Sequence, residues 1–278
     1  MTEPLPRLIA SLDEVVPNYD AVFCDVWGVV HDGIAKFPAA ETALTSVRAS
    51  GRKSVLVTNS PRRAQSVTEF LDQIGVSREA YDFIATSGDV TRALISAAPR
   101  QVLHIGLDAH LAMFEDLGIE RVDEDRAEAI IVTGLRGGED DTPEAYAGLL
   151  RRLAARALLM ICANPDVIAP KGDRMVWGAG ALARDYAALG GRTQLAGKPF
   201  ASIYDHARAL IGGIDRSRIL AIGDGLGTDI KGANDYGLDA LLILNGIHAA
   251  TIGTTVEEIA ANLGKEGRTA RCVMPDLR

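Results

Sequence analysis

Residues 21–29 read Ala-Val-Phe-Cys-Asp-Val-Trp-Gly-Val. The run 21–24 is strand-sized and has no polar face, so it reads as a strand buried on both sides. It stops on Asp25, and a second run, 218–223 (Arg-Ile-Leu-Ala-Ile-Gly), stops in the same way on Asp224. Gly225, Gly227, Thr228 and Asp229 follow. Two strands delivering carboxylates to one sheet edge make a hard-cation site.

Outward from the first run, the pattern is strand, turn, helix, repeated. A strand is expected over 21–25, a helix over 41–50 ended by Gly51, a strand over 53–58 and a helix over 62–74 ended by Gly75. Ser60-Pro61 reads as the cap and first-turn proline of that helix. Such alternation gives a parallel sheet covered by helices, with ligands at the carboxyl ends of the strands, where Asp25 and Thr58 both fall. From about Ser87 to about Gly191 the alternation repeats by itself, with strands at 101–105, 129–133 and 158–163. It then resumes with strand 193–196, helix 201–211, and strands 219–223 and 240–244. The expected organisation is a core over 1–84, an inserted small α/β domain over 85–191, and the second part of the core over 192–278.

The 278 residues are 47% hydrophobic and 24% charged, the balance of a folded globular chain with a sizeable core. A net charge of -8 provides no basic footprint for nucleic acid or an anionic membrane, so neither partner is expected. No apolar run approaches the roughly 20 residues a bilayer span needs. Residues 1–10 lack a basic segment followed by a hydrophobic stretch, so a cytoplasmic location is expected. Cys24, Cys162 and Cys272 are odd in number and without metal spacing, which reads as reduced core thiols. His104, His110, His206 and His248 are scattered and read as structural. The stretch Gly178-Ala-Gly180-Ala-Leu-Ala183 fits a loose dinucleotide pattern, but a plain helix start explains it better.

Four motifs stand in order: Asp25-Val-Trp-Gly-Val, Val57-Thr58-Asn59, Gly197-Lys198-Pro199 and Gly223-Asp224-Gly-Leu-Gly-Thr-Asp229. Together they resemble the haloacid dehalogenase superfamily, in the branch of sugar phosphatases and p-nitrophenyl phosphatases (subfamily IIA) that inserts a large α/β cap after the second motif. Asn164-Pro165-Asp166 and Gly178-Ala-Gly180-Ala-Leu also resemble that branch's cap. The resemblance implies a Rossmann-like parallel-sheet core with an inserted α/β cap of the C2 type. It also implies Mg²⁺-dependent hydrolysis of a small, sugar-phosphate-like organic phosphate monoester through an aspartyl phosphate. Asp25 would be the nucleophile. Mg²⁺ would be held by Asp25, Asp224 and the backbone carbonyl of Trp27, neutralising the approach of two anions, with Asp229 standing behind them. Thr58 and Asn59 would bind the phosphoryl oxygens and Lys198 would supply positive charge. Arg63, Asn164 and Asp166 complete the expected substrate-binding set. The sequence is compatible with a homo-oligomer and does not specify one.

Trp27 is the departure. Phosphatases of this superfamily usually carry a second Asp two residues after the nucleophile, as the acid for the leaving oxygen, and an indole does not serve in that role. His31 and Asp32 are the nearest replacements along the chain. Two other readings follow from Trp27: carbon-halogen hydrolysis, because dehalogenases have an aromatic residue there, and a phosphate-binding protein with weak catalysis.

Overall fold

In the computed structural model, strand Ala21–Cys24 is buried along its whole length. It pairs in parallel with Lys53–Thr58 on one side and Ile219–Gly223 on the other, so that Cys24 stands opposite both Leu56 and Ile222. The structure describes residues 5–137, 141–171, 174–246 and 248–278; the first four residues of the 1–10 segment lie outside that set. The chain divides into two compact units, one of Met1–Thr58, Thr68–Ala85 and Tyr204–Arg278, the other of Asn59–Val67 and Thr86–Ile203.

The first unit holds a seven-stranded sheet in the order Arg7–Leu8, Cys272–Met274, Asp239–Ile243, Ile219–Gly223, Ala21–Cys24, Lys53–Thr58, Phe83–Thr86. From Ala21–Cys24 the chain leaves toward Lys53–Thr58 and returns, much later, on the opposite side at Ile219–Gly223. The winding therefore changes direction beside Ala21–Cys24, and a parallel sheet opens a crevice at such a point, outside the carboxyl ends of its strands.

The second unit holds a five-stranded parallel sheet in the order Arg192–Leu195, Leu159–Cys162, Ala129–Val132, Gln101–Ile105, Glu120–Arg121. Its inner strands Ala129–Val132 and Leu159–Cys162 are apolar on both faces, as a covered parallel sheet requires. Ile130 and Val132 face Leu150, Leu153, Leu182 and Tyr186, whereas Ala129 and Ile131 face Ile95, Met113 and Phe114. A separate antiparallel hairpin pairs Ile168–Lys171 with Arg174–Trp177.

The expected α/β architecture is present, with shifted element ends. The helix expected over 62–74 runs over Ala64–Gln73. Its start is set by a tertiary cap: Asp89, in helix Ser87–Ser96, accepts the Ala64 N–H at 2.9 Å, while Ser60 Oγ turns back to the Arg62 N–H at 3.3 Å. The glycines at 178 and 180 do open a helix, Ala179–Ala188. A Cβ on Gly180 would fall 2.0 Å from the Pro165 carbonyl oxygen, so the small residues serve close packing rather than a dinucleotide. All three cysteines are buried and free. Among the described residues no helix is long and apolar enough to cross a membrane.

Candidate active site

Register explains how distant carboxylates converge in the first unit. The Asp25 N–H donates to the Ile222 carbonyl at 2.8 Å, one step past the end of its strand, and Asp224 leaves the neighbouring strand two residues after Ile222. One oxygen from each of Asp25, Asp224 and Asp229 lies within 4.8 Å of the others, and all three residues are buried. At that spacing two such charges would repel by about 3.5 kcal/mol at an effective dielectric of about 20. The donor set, carboxylate oxygens alone, suits a hard divalent cation such as Mg²⁺ or Ca²⁺.

Asp229, expected behind the other two, thus has an oxygen in the cluster itself. The cause is local backbone geometry. Residues Leu226–Ile230 form a π-helical turn in which the Gly225 carbonyl accepts from both the Asp229 N–H (2.9 Å) and the Ile230 N–H (3.1 Å). Such wide turns concentrate at functional sites. Helix Lys231–Tyr236 begins only afterwards. Asp229 Oδ2 in turn accepts from the Gly225 N–H at 3.0 Å and the Thr228 hydroxyl at 3.1 Å.

Two glycines enclose Asp224. A Cβ on Gly246 would lie 2.0 Å from Asp224 Oδ2, and one on Gly28, which has φ +83°, would lie 2.6 Å from the same oxygen. Only residues without side chains let backbone come so close to the carboxylate.

Trp27 is half-buried in a tight loop closed by Gly28 N–H to the His31 carbonyl (2.7 Å) and by the Val30 and His31 N–H groups to the Val26 carbonyl (2.8 and 3.2 Å). Its indole lies over Gly33, where a Cβ would stand 3.3 Å from Nε1. Both sequence neighbours, His31 and Asp32, are engaged within the loop itself. His31 is buried, sits edge-on to Phe70, and accepts the Gly33 N–H on Nδ1 at 2.8 Å; burial holds its imidazole below the usual range, against a smaller opposing pull from Asp32. Asp32 accepts the Ile34 and Ala35 N–H groups on one oxygen, both at 2.8 Å, and these bonds keep its carboxyl ionised. Both residues build the loop. Thr58 ends Lys53–Thr58 and is buried.

In the second unit, buried Asn59 and Lys198 form one network with half-buried Asn164 and Asp166. Asn59 Oδ1 accepts the Lys198 N–H at 2.6 Å, and Asn59 Nδ2 donates to the Lys198 carbonyl at 3.0 Å and to Asp166 Oδ1 at 2.8 Å. The side-chain amide expected on a phosphoryl oxygen is thus committed to the backbone of Lys198, which is 4% exposed. Asn164 is likewise used locally, accepting the Asp166 N–H at 2.8 Å. Arg63 is half-buried just before helix Ala64–Gln73, outside this network. Replacing Asn59 by Ala would strand the Lys198 N–H and carbonyl in a buried setting. The expected loss is about 1–3 kcal/mol of stability, read from urea unfolding midpoints.

A family model described as haloacid dehalogenase-like hydrolase matches residues 22–120, and a second, HAD-hydrolase-like, matches 195–274. The crystal structure of a haloacid dehalogenase-like hydrolase from Brucella suis 1330 is 46% identical, covers 98% of this chain and 100% of its own, and superposes with a TM-score of 0.87. D-glycerol 3-phosphate phosphatase of Mycobacterium tuberculosis is 29% identical over 246 residues, 86% of this chain and 67% of that protein. A glycerol phosphate phosphatase structure from the same organism, in complex with calcium, is 25% identical with a TM-score of 0.68, over 95% of this chain and 73% of its own.

Proposed function

Because this chain belongs to the haloacid dehalogenase-like hydrolases, we propose that it is a Mg²⁺-dependent phosphatase acting on a small organic phosphate monoester. The observation that carries the reading is the buried triplet of carboxylates at the carboxyl edge of the parallel sheet. Asp25 attacks phosphorus; the phosphorus–oxygen bond to the organic group breaks, and the phosphoryl group stays on the carboxylate as an acyl phosphate. Water then attacks that phosphorus, releasing inorganic phosphate and restoring Asp25. Asp25, Asp224, Asp229 and the main-chain carbonyl of Trp27 would hold Mg²⁺, which offsets the repulsion between nucleophile and substrate. Thr58 hydrogen-bonds the phosphoryl oxygens. Lys198 supplies positive charge, with Asn59 and Asp166 fixing its position rather than touching substrate. The inserted segment 85–191 acts as the substrate-selecting cap, and the enzyme works in the cytoplasm, in keeping with its free, buried thiols.

Carbon-halogen hydrolysis is the weaker reading. It needs no cation, and so gives no role to the close grouping of Asp224 and Asp229 with Asp25, a donor set suited to a hard divalent ion.

With indole where the acid normally stands, the departing alkoxide has no side-chain proton donor in the Val26–Asp32 loop. Turnover should therefore depend steeply on the leaving group. Trp27→Asp is expected to raise kcat/KM for an alkyl phosphate by about 10²–10⁴-fold, with a much smaller change on p-nitrophenyl phosphate, whose phenolate leaves unaided. Equal change on both esters would remove this account of Trp27.

A further inference from the structure

The five-stranded sheet has its own point where the winding reverses. Gln101–Ile105 is flanked by Glu120–Arg121 on one side and Ala129–Val132 on the other, so the chain leaves it toward one edge and returns on the opposite side. In a parallel sheet the crevice for ligands lies outside the carboxyl ends of the strands at such a point, here Gln101–Ile105 and Ala129–Val132.

Three polar side chains meet at that edge. His104 Nε2 lies 2.9 Å and His110 Nδ1 3.1 Å from Thr133 Oγ1. Thr133 is 2% exposed, while both rings are half-buried. The backbone leaves room for them, since a Cβ on Gly106 would land 2.0 Å from Thr133 Oγ1.

Packing alone does not account for the trio. His104 does stand edge-on to Phe114, with ring centroids 5.0 Å apart, but an apolar ring would pack there without titrating. Burial, aided by Arg121, His110 and Arg136, pushes the His104 imidazole down to about 4, and burial with Arg62 lowers His110. Perturbed groups gathered at a crevice are the mark of a site.

Their bonding has a particular property. A threonine hydroxyl has one hydrogen and two lone pairs. When that hydrogen goes to His104 Nε2, His110 donates from Nδ1 and its Nε2 is an acceptor. When it goes to His110 Nδ1, the same Nε2 carries hydrogen and donates. The trio can thus turn His110 Nε2 from acceptor to donor, and His104 Nδ1 from donor to acceptor, without gaining charge. We infer that His104, Thr133 and His110 form a hydroxyl-reading site that binds a small polyhydroxylated molecule. Such alcohols come from two sources: the organic half of the phosphate ester, which rests on the phosphatase reading, or a free polyol acting as an effector.

The test uses the full chain labelled with ¹⁵N-histidine, carrying Asp25→Asn to prevent turnover. The His104 and His110 imidazole resonances are followed during titration with glycerol and, separately, with glycerol 3-phosphate. In parallel, KM is measured for glycerol 3-phosphate and p-nitrophenyl phosphate in otherwise wild-type protein, Thr133→Val and Thr133→Ser. Saturable shifts of both imidazoles are expected. If the ester's organic half is the ligand, Thr133→Val raises KM for glycerol 3-phosphate at least tenfold more than for p-nitrophenyl phosphate, which has no alcohol, and Thr133→Ser restores the ratio. Saturation by glycerol with no movement of that ratio identifies the effector source instead. No saturable shift with either compound overturns the inference, whether or not Thr133→Val folds. If the wild type hydrolyses neither ester, the phosphatase reading fails, and the titration still decides the crevice by itself.

Discussion

Asp25→Asn is expected to lower kcat on p-nitrophenyl phosphate by on the order of 10⁴–10⁶-fold, the scale seen when a covalent nucleophile is removed. The amide is nearly the same size, and the Asp25 N–H bond to Ile222 is a main-chain contact that the substitution leaves alone. Loss of activity would therefore report chemistry rather than folding. A second readout separates the two further: wild type quenched in acid during turnover with ³²P-labelled substrate should retain acid-stable, base-labile label, and the variant none. A variant with more than about a hundredth of wild-type kcat would rule out Asp25 as nucleophile.

Gly246→Ala is expected to abolish divalent-cation binding at millimolar concentration. The added methyl would lie 2.0 Å from Asp224 Oδ2 and 2.1 Å from Asp224 Cβ, far inside van der Waals contact. Something must move, and the cheapest movement swings Asp224 out of the triplet. Gly227→Ala is the control: that glycine lies in the π-helical turn beside Asp229, yet its Cβ would meet nothing within 4 Å. Thermal midpoints with and without Mg²⁺ should show wild type and Gly227→Ala gaining stability by mass action, as any ligand of the native state confers. Gly246→Ala should show no gain. An equal Mg²⁺ shift in all three proteins would mean that Asp224 does not hold the ion.

Much of the fold was legible because inner parallel strands are largely apolar runs, and Lys53–Thr58, Gln101–Ile105 and Ile219–Gly223 form over the ranges expected from the sequence. The edge strand Arg7–Leu8 and its neighbour Cys272–Met274 were not, since runs of two and three residues become strands only through the partners beside them. Asp25 and Asp224 stood out as acids ending apolar runs. The inward place of Asp229 depends on a widened turn, for which residues 225–230 carry no periodic signal. The bonds of Asn59 were not legible for a related reason: its partners, Asp166 and Lys198, are 107 and 139 residues away, and local pattern is silent on such contacts. The histidines at 104 and 110 looked unrelated along the chain, because the hydroxyl that joins them belongs to the loop after the neighbouring strand.

The pairing of Ala21–Cys24 with Ile219–Gly223 also bears on biosynthesis. A ribosome delivers Asp25 early, but its two companion acids emerge only after the whole of the second unit has been translated. Until then the nascent chain displays a lone carboxylate with no cage around it. The proposed cation site can therefore be completed only late, when Ile219–Gly223 closes the central sheet against Ala21–Cys24.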